Sequence, residues 1–305
     1  SMRVDAQPEA IEASQEQVAR QVVEKLASFH GIAPDLVKQR NARASQASLE
    51  AYLCFMGIYQ YIETPSDALH RETRSCLETV TEDHPEYGEA FTALAFLYLD
   101  EGRQGRNIRE GTDPWKDAQD AIDRALTFAP LRQLTLNVAL LHSVERPNRD
   151  LARFRTLSTR LLELFPRHPG TLANIALQTA VYAGEWDNAL PLAQEAIDLQ
   201  SRDPSWYYLT HSFHALLEDD LGNADWALRK LTSNKSIAEM VLLYVIALRE
   251  GDMDSAARQR ERLAVVGRQS EESIERYVLE RRFDPDLEAA LLTPLQAAFS
   301  GQSAK

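Results

Sequence analysis

Two cysteines in 305 residues exclude a disulfide-framework fold, in which cross-links replace a core too small to hold itself. Glycine (12) and proline (13) are both scarce. That excludes a collagen-like chain and starves a β-sandwich of the turns between its strands. Basic charge is short as well: 33 Lys and Arg stand against 46 Asp and Glu, a formal net charge of −13. A phosphate backbone needs a basic face, so no nucleic-acid partner is expected. The longest unbroken apolar run, Met240 to Leu248, is nine residues, against roughly 20 for a membrane helix. No membrane insertion is expected, and no charged-then-apolar signal peptide opens the chain. Ser1-Met2 ahead of Arg3 reads as a remnant of cloning. On that reading the chain is an excised fragment, and any membrane anchor or targeting signal could have been left behind with the missing part.

What the sequence has in quantity is helix-forming residues. Alanine and leucine supply 40 each, and both rank at the top of helix propensity. Three marks then recur along the chain. Gly184…Ala189, Gly222…Ala227 and Gly251…Ala256 repeat a glycine, four residues, then an alanine. Each glycine sits where an apolar-periodic stretch stops. Each alanine sits one turn into the next stretch, where a small side chain lets two helices approach. Apolar residues at i, i+3, i+4 and i+7 precede them, as in Phe91, Leu94, Ala95, Tyr98 and in Met240, Leu243, Tyr244, Ala247. Proline closes the units at Pro85, Pro130, Pro169 and Pro204, because it cannot continue a helix interior.

With these marks the chain resembles the tetratricopeptide repeat (TPR) family. The strongest match is Ala90-Phe91, Leu94-Ala95 and Tyr98, followed by Ala118, Ala125 and Pro130. The closing prolines are 45, 39 and 35 residues apart, against a family period of about 34. The excess is read as loop, chiefly residues 99–114. The resemblance implies an all-α, right-handed α-solenoid of about six helical hairpins: 48–84, 86–129, 131–165, 169–200, 204–234 and 236–266. The third lacks a clear inter-helix glycine, and in the fifth Asn234 stands where a small residue is expected. Residues 1–47 are read as lead-in and capping helices, with a stripe from Ile11 to Phe29; 48–266 as repeats; 267–305 as capping helices and tail.

Gln17-Val18-Ala19-Arg20, Leu26-Ala27, His30-Gly31, Leu49-Glu50-Ala51-Tyr52 and Cys76-Leu77-Glu78 resemble a narrower group. It comprises bacterial multidomain regulators in which a TolB-like segment leads into TPR repeats, behind a winged-helix or class III adenylate cyclase domain. No cyclase or DNA-binding motif lies in these 305 residues. A membrane helix often separates output domain from repeats in that group, which would place this part on the periplasmic side; the cytoplasm is the alternative.

Candidate chemistry is sparse. His211 and His214 with Glu218 have i, i+3, i+7 spacing, which seeds a zinc site, lines a groove, or is ordinary surface. No fourth partner is identifiable, and neither a metal, a cofactor nor a catalytic residue is assigned. Cys54 and Cys76 fall opposite each other if the first hairpin turns near Thr64-Pro65. That register allows a disulfide; two small buried apolar residues are the other reading. Arg103, Arg106 and Arg109 in the long insertion offer either a contact for an anionic partner or a solvated loop.

Repeat solenoids present first-helix side chains on their inner face. With the apolar stripes taken as buried, the neighbours expected to line that groove are Phe96, Asn137, Asn174, Gln178, Tyr182, Tyr207, His211 and His214. Amides pair with a peptide backbone and rings give rigid contact area. The function expected is therefore a non-enzymatic scaffold or sensor that binds a protein or peptide. A small-molecule receptor using Tyr182, Tyr207 and the two histidines is the alternative, as is a groove filled by the chain's own helices.

Overall fold

The computed structural model describes residues 46–145, 147, 149–199, 204–231, 236–268 and 270–300. The lead-in helices expected within 9–44, Asn234 and the tail beyond residue 300 lie outside them. Among the described residues the regular structure is wholly helical, with fourteen α-helices and one 3-10 turn. The all-α solenoid class is thus the one observed.

Helices α1 (Gln46–Glu63) and α2 (Asp67–Asp83) pack as the first pair, and α3 (Gly88–Gln104) and α4 (Pro114–Phe128) as the second. Next come α5 (Gln133–Glu145) and α6 (Leu151–Leu164), then α7 (Pro169–Ala183) and α8 (Trp186–Asp198). The fifth pair is reduced: a 3-10 turn (Ser205–Tyr208) leads into α9 (Leu209–Leu217), and α10 (Asp225–Leu228) is a single turn. Helices α11 (Ile237–Glu250) and α12 (Met253–Val265) form the sixth, followed by α13 (Glu271–Arg281) and α14 (Pro285–Phe299). The chain divides into two compact units. The first runs to Ala139 and takes in Glu163–Gly170 and Asp198–Arg202; the second holds Leu140–Leu162, Thr171–Ile197 and Asp203 onward.

Local chemistry sets the ends. Ser66, Asp113, Ser236, Asp252, Ser270 and Asp284 each accept a backbone N–H at the start of the helix that follows, which satisfies donors the helix itself cannot. Gly184 and Gly251 end α7 and α11 with φ of 67° and 72°, a left-handed turn that costs glycine nothing. The repeated alanines Ala189, Ala227 and Ala256 are buried, as close helix approach requires. In the third pair, which has no such glycine, the Arg149 Nε donates to the Val144 carbonyl at 2.9 Å and closes the end of α5 instead.

The two helices of a pair differ in kind. The second is amphipathic: on α4, Ala118, Ala121, Ile122 and Ala125 are buried while Asp120, Asp123 and Arg124 face water. The first has a wider buried surface, and in the fourth pair it is apolar nearly all round. Helix α7 carries no charged residue, and buries Thr171 to Ala173, Ile175, Ala176 and Gln178 to Tyr182. A helix without a wet face must be covered on every side. In the second unit that cover includes α14, which packs against α9 and α11 through Leu287, Leu291 and Leu295, all buried.

Helix α3 runs to Gln104, so the connection expected over 99–114 is only 105–113. Leu99, Asp100 and Glu101 are buried on α3, and burial of that turn against its neighbours extends the helix through the expected loop start.

Candidate functional site

In the first unit the arginine-rich segment is satisfied by its own chain. Arg103 donates to Asp100 at 2.9 Å, Arg106 lies 3.4 Å from Asp67, and Arg109 pairs with Glu78 at 2.8 Å. Arg74 bridges the Glu101 carboxylate and the Asn107 carbonyl. The Tyr61 hydroxyl donates to Asp100 at 2.5 Å. Burial alone would raise Asp100, yet Arg103 and the Tyr61 hydrogen bond outweigh it and hold the carboxyl below its ordinary range. Burial raises Glu101 against the pull of Arg74, and burial lowers His70, whose Nε2 lies 3.2 Å from the Leu97 carbonyl. This is a polar core that pins segment 105–113 to α2, rather than an open site for an anion.

Cys54 and Cys76 are joined by a disulfide between α1 and α2, with Cα atoms 5.5 Å apart. Phe96 is half-buried beneath the Arg103 guanidinium, 5.5 Å from ring centre to Cζ. Asn137, also half-buried, donates from Nδ2 to the Gln133 carbonyl at 3.0 Å.

The second unit holds the other predicted residues, and it encloses three of them. Gln178, Tyr182 and Tyr207 are buried, where they were expected to line an open groove. The Gln178 Nε2 donates to Asn174 at 3.3 Å. Tyr182 stacks on Phe283 with centroids 5.8 Å apart and carries the Arg149 guanidinium at 4.5 Å on its ring. Tyr207 meets Trp206 edge to face at 4.6 Å. The physical reason is the wider buried surface of the first helices. Residues flanking a buried stripe are themselves covered when no polar face remains.

His211 and His214 stay half-buried, and each meets a tryptophan. His214 lies 5.5 Å from the Trp186 ring, and His211 lies 5.2 Å from Trp226. Tyr208 packs edge to face on Trp226 at 5.7 Å, with Lys230 5.9 Å from its ring. Trp226 is 43% exposed, so an open indole crowns an aromatic shelf built by the 3-10 turn, α9 and α10. Burial, and then the neighbouring His214, lower the His211 pKa, so this imidazole holds its proton less readily than an ordinary histidine. Its Nε2 is buried and makes no hydrogen bond among the described residues. Glu218 is exposed, and among the described residues no group of three or more His, Cys, Asp or Glu is placed to hold a metal ion.

Trp186, Tyr208 and Trp226 were not among the residues expected to form a site. A compositional signal was present: of four tryptophans, three fall at 186, 206 and 226, the last two on the pair whose histidines were singled out.

No family model and no curated protein matches this chain. Among solved structures it is similar to that of PilW, described as a widely conserved type IV pilus biogenesis factor. The likeness has a TM-score of 0.51 at 17% identity and covers 76% of this chain and 99% of that one. PilW contains TPR repeats, and at this identity the likeness shows the TPR-like fold. Among the described residues no helix is long and apolar enough to cross a membrane.

Proposed function

We propose that this chain is a non-enzymatic protein-interaction scaffold or sensor module of a larger bacterial signalling or transcription-regulatory protein. Its partner is a polypeptide, and the contact surface centres on the Trp186–His214 and His211–Trp226 pairs. The observation that carries this reading is the part-open aromatic shelf: Trp226 is 43% exposed above half-buried imidazoles. Rigid rings with one apolar face and one polar edge are the side chains that anchor protein contacts. The TPR-like fold supports it as a scaffold, although a fold alone hosts many roles. The Cys54–Cys76 disulfide supports a periplasmic placement, since such bonds persist in oxidising compartments.

The test is capture from a bacterial lysate and a periplasmic extract by the wild type and by a Trp226→Ala/His214→Ala variant. A polypeptide retained by the wild type, and lost by a variant of unchanged melting temperature, is the expected result. Equal retention by both would refute the shelf as the contact. The small-molecule reading rests on Gln178, whose buried Oε1 has no hydrogen-bond partner among the described residues. A metabolite that raises the wild-type melting temperature but not that of Gln178→Leu would favour it.

A further inference from the structure

Helices α13 and α14 were expected to seal the last repeat. The corner between them also reaches back to the ends of α5 and α7. The Asp284 backbone N–H donates to the Val181 carbonyl at 2.7 Å. Phe283 is buried between Tyr182, with centroids 5.8 Å apart, and Phe213 at 6.2 Å. Arg149 donates from one guanidinium to the carbonyls of Tyr182, Arg281 and Arg282. Arg281 lies 3.7 Å from Glu145, and Arg282 donates to the Pro147 carbonyl at 2.7 Å. The Asp284 carboxylate fills the notch left by Gly184, where a Cβ would lie 2.9 Å from its Cγ. It also caps α14 through the Asp286 N–H at 3.2 Å. Beyond Pro285, Leu287, Leu291 and Leu295 form an i, i+4, i+8 stripe, and α14 packs on α9 and α11.

These are the contacts of helix-in-groove peptide recognition: a ring in a pocket, main-chain pairing at the entry, and an apolar stripe laid on receiving helices. Arg149, Val181, Tyr182, Gly184 and Phe213 all precede the segment they hold, by at least 70 residues from Phe213 to Phe283. The corner borders an open trough in which Arg149 of the seat meets Arg282, Phe283, Pro285, Glu288 and Leu292 of the docked segment.

We propose that this seat is a recognition site for polypeptide segments that carry an aromatic residue, then a carboxylate, then a proline-started amphipathic helix. The chain's own Phe283-Asp284-Pro285 corner and α14 fill it in cis, and a partner binds by taking their place. The proposal is independent of the Trp226 shelf. An attached occupant competes at an effective concentration near millimolar, so a partner needs high affinity or a loosened corner.

The experiment uses the full chain and a fluorescent synthetic peptide of residues 278–299. Phe283→Ala loosens the cis corner but leaves the seat intact, so the peptide should bind that variant at least tenfold more tightly than wild type. Adding Gly184→Val, which fills the carboxylate notch, should reverse the gain, and Trp226→Ala should not change it. In the wild type, saturating peptide should speed amide exchange across 286–299. No gain with a folded Phe283→Ala chain, equal binding by a scrambled peptide, or unchanged exchange at saturation would each overturn the proposal. A wild-type dimer that forms with concentration and is dissolved by the peptide would give the seat to a second copy and overturn cis occupancy.

Discussion

Gly184→Ala should cost clearly more stability than Gly251→Ala, although the two glycines end equivalent helices in the same conformation. Their φ angles are 67° and 72°, and a side chain in that left-handed region costs about 1–2 kcal/mol at either site. The difference lies in what a Cβ meets. At Gly251 nothing lies within 4 Å; at Gly184 the Asp284 Cγ lies 2.9 Å away and its Oδ2 closer still. Asp284 must therefore retreat. Its N–H bond to Val181 is worth about 0.5–1.5 kcal/mol, and its cap on α14 about 0.5–2 kcal/mol. Loss of part or all of both gives Gly184→Ala an excess of about 1–3 kcal/mol over Gly251→Ala. Urea unfolding followed by circular dichroism reads this as a larger fall in midpoint at unchanged slope. In an Asp284→Ala background the excess should shrink to below about 0.5 kcal/mol, since the clashing group is gone and the sites are then alike. Equal costs in the wild-type background, or an excess that survives Asp284→Ala, would refute the docking of this corner on α7.

Reduction of Cys54–Cys76, which spans a sequence separation of 22, should destabilise the chain by about 3 kcal/mol from the loop entropy released on unfolding. The check is a melting temperature that falls with reductant in the wild type and does not respond in a Cys54→Ser/Cys76→Ser variant. Stability should also fall as pH drops from 7.5 to 5.5. Burial holds His70 below its ordinary value of 6.5, so the unfolded chain takes up the proton first and gains on the folded one. His211 is shifted in the same direction, whereas Glu101 is raised by burial and has the opposite sign. The measured quantity is accordingly the difference between wild type and His70→Gln, which should have the shallower pH slope; identical slopes would exclude His70 as a contributor.

The helices were legible because their marks are local. Proline, left-handed glycine and an apolar period of 3.6 act within one or two turns, and Pro85, Pro130, Pro169, Gly184 and Gly251 fall in the structure at the helix ends they announce. What failed was local reasoning applied to long-range burial. Leu99 to Glu101 looked like a loop beside three glycines and three arginines. The carboxylates of Asp100 and Glu101 are nevertheless held inside by Tyr61, Arg74 and Arg103, two of which stand on helices encoded earlier in the chain. A buried ion pair of that kind leaves no periodic trace in the sequence.

The burial of Gln178 and Tyr182, two of the expected inner-face residues, has a related reason. Exposure had been assigned to whatever flanked an apolar stripe, a rule that holds for an amphipathic helix. Helix α7 has no charged residue to mark a wet side, so Gln178 and Tyr182 lie under cover, and Phe283 supplies part of it from about 100 residues downstream. The second helices obey the rule because their faces alternate in charge. Helix α9 lies between these cases. Its buried set, Leu209, Thr210, Ser212, Phe213, Ala215 and Leu216, leaves His211 and His214 at the margin, and Trp226 on the single-turn α10 is open beside them. The degenerate fifth repeat thus leaves a ring open, because its second helix is a single turn, and that is why the proposed contact is placed there.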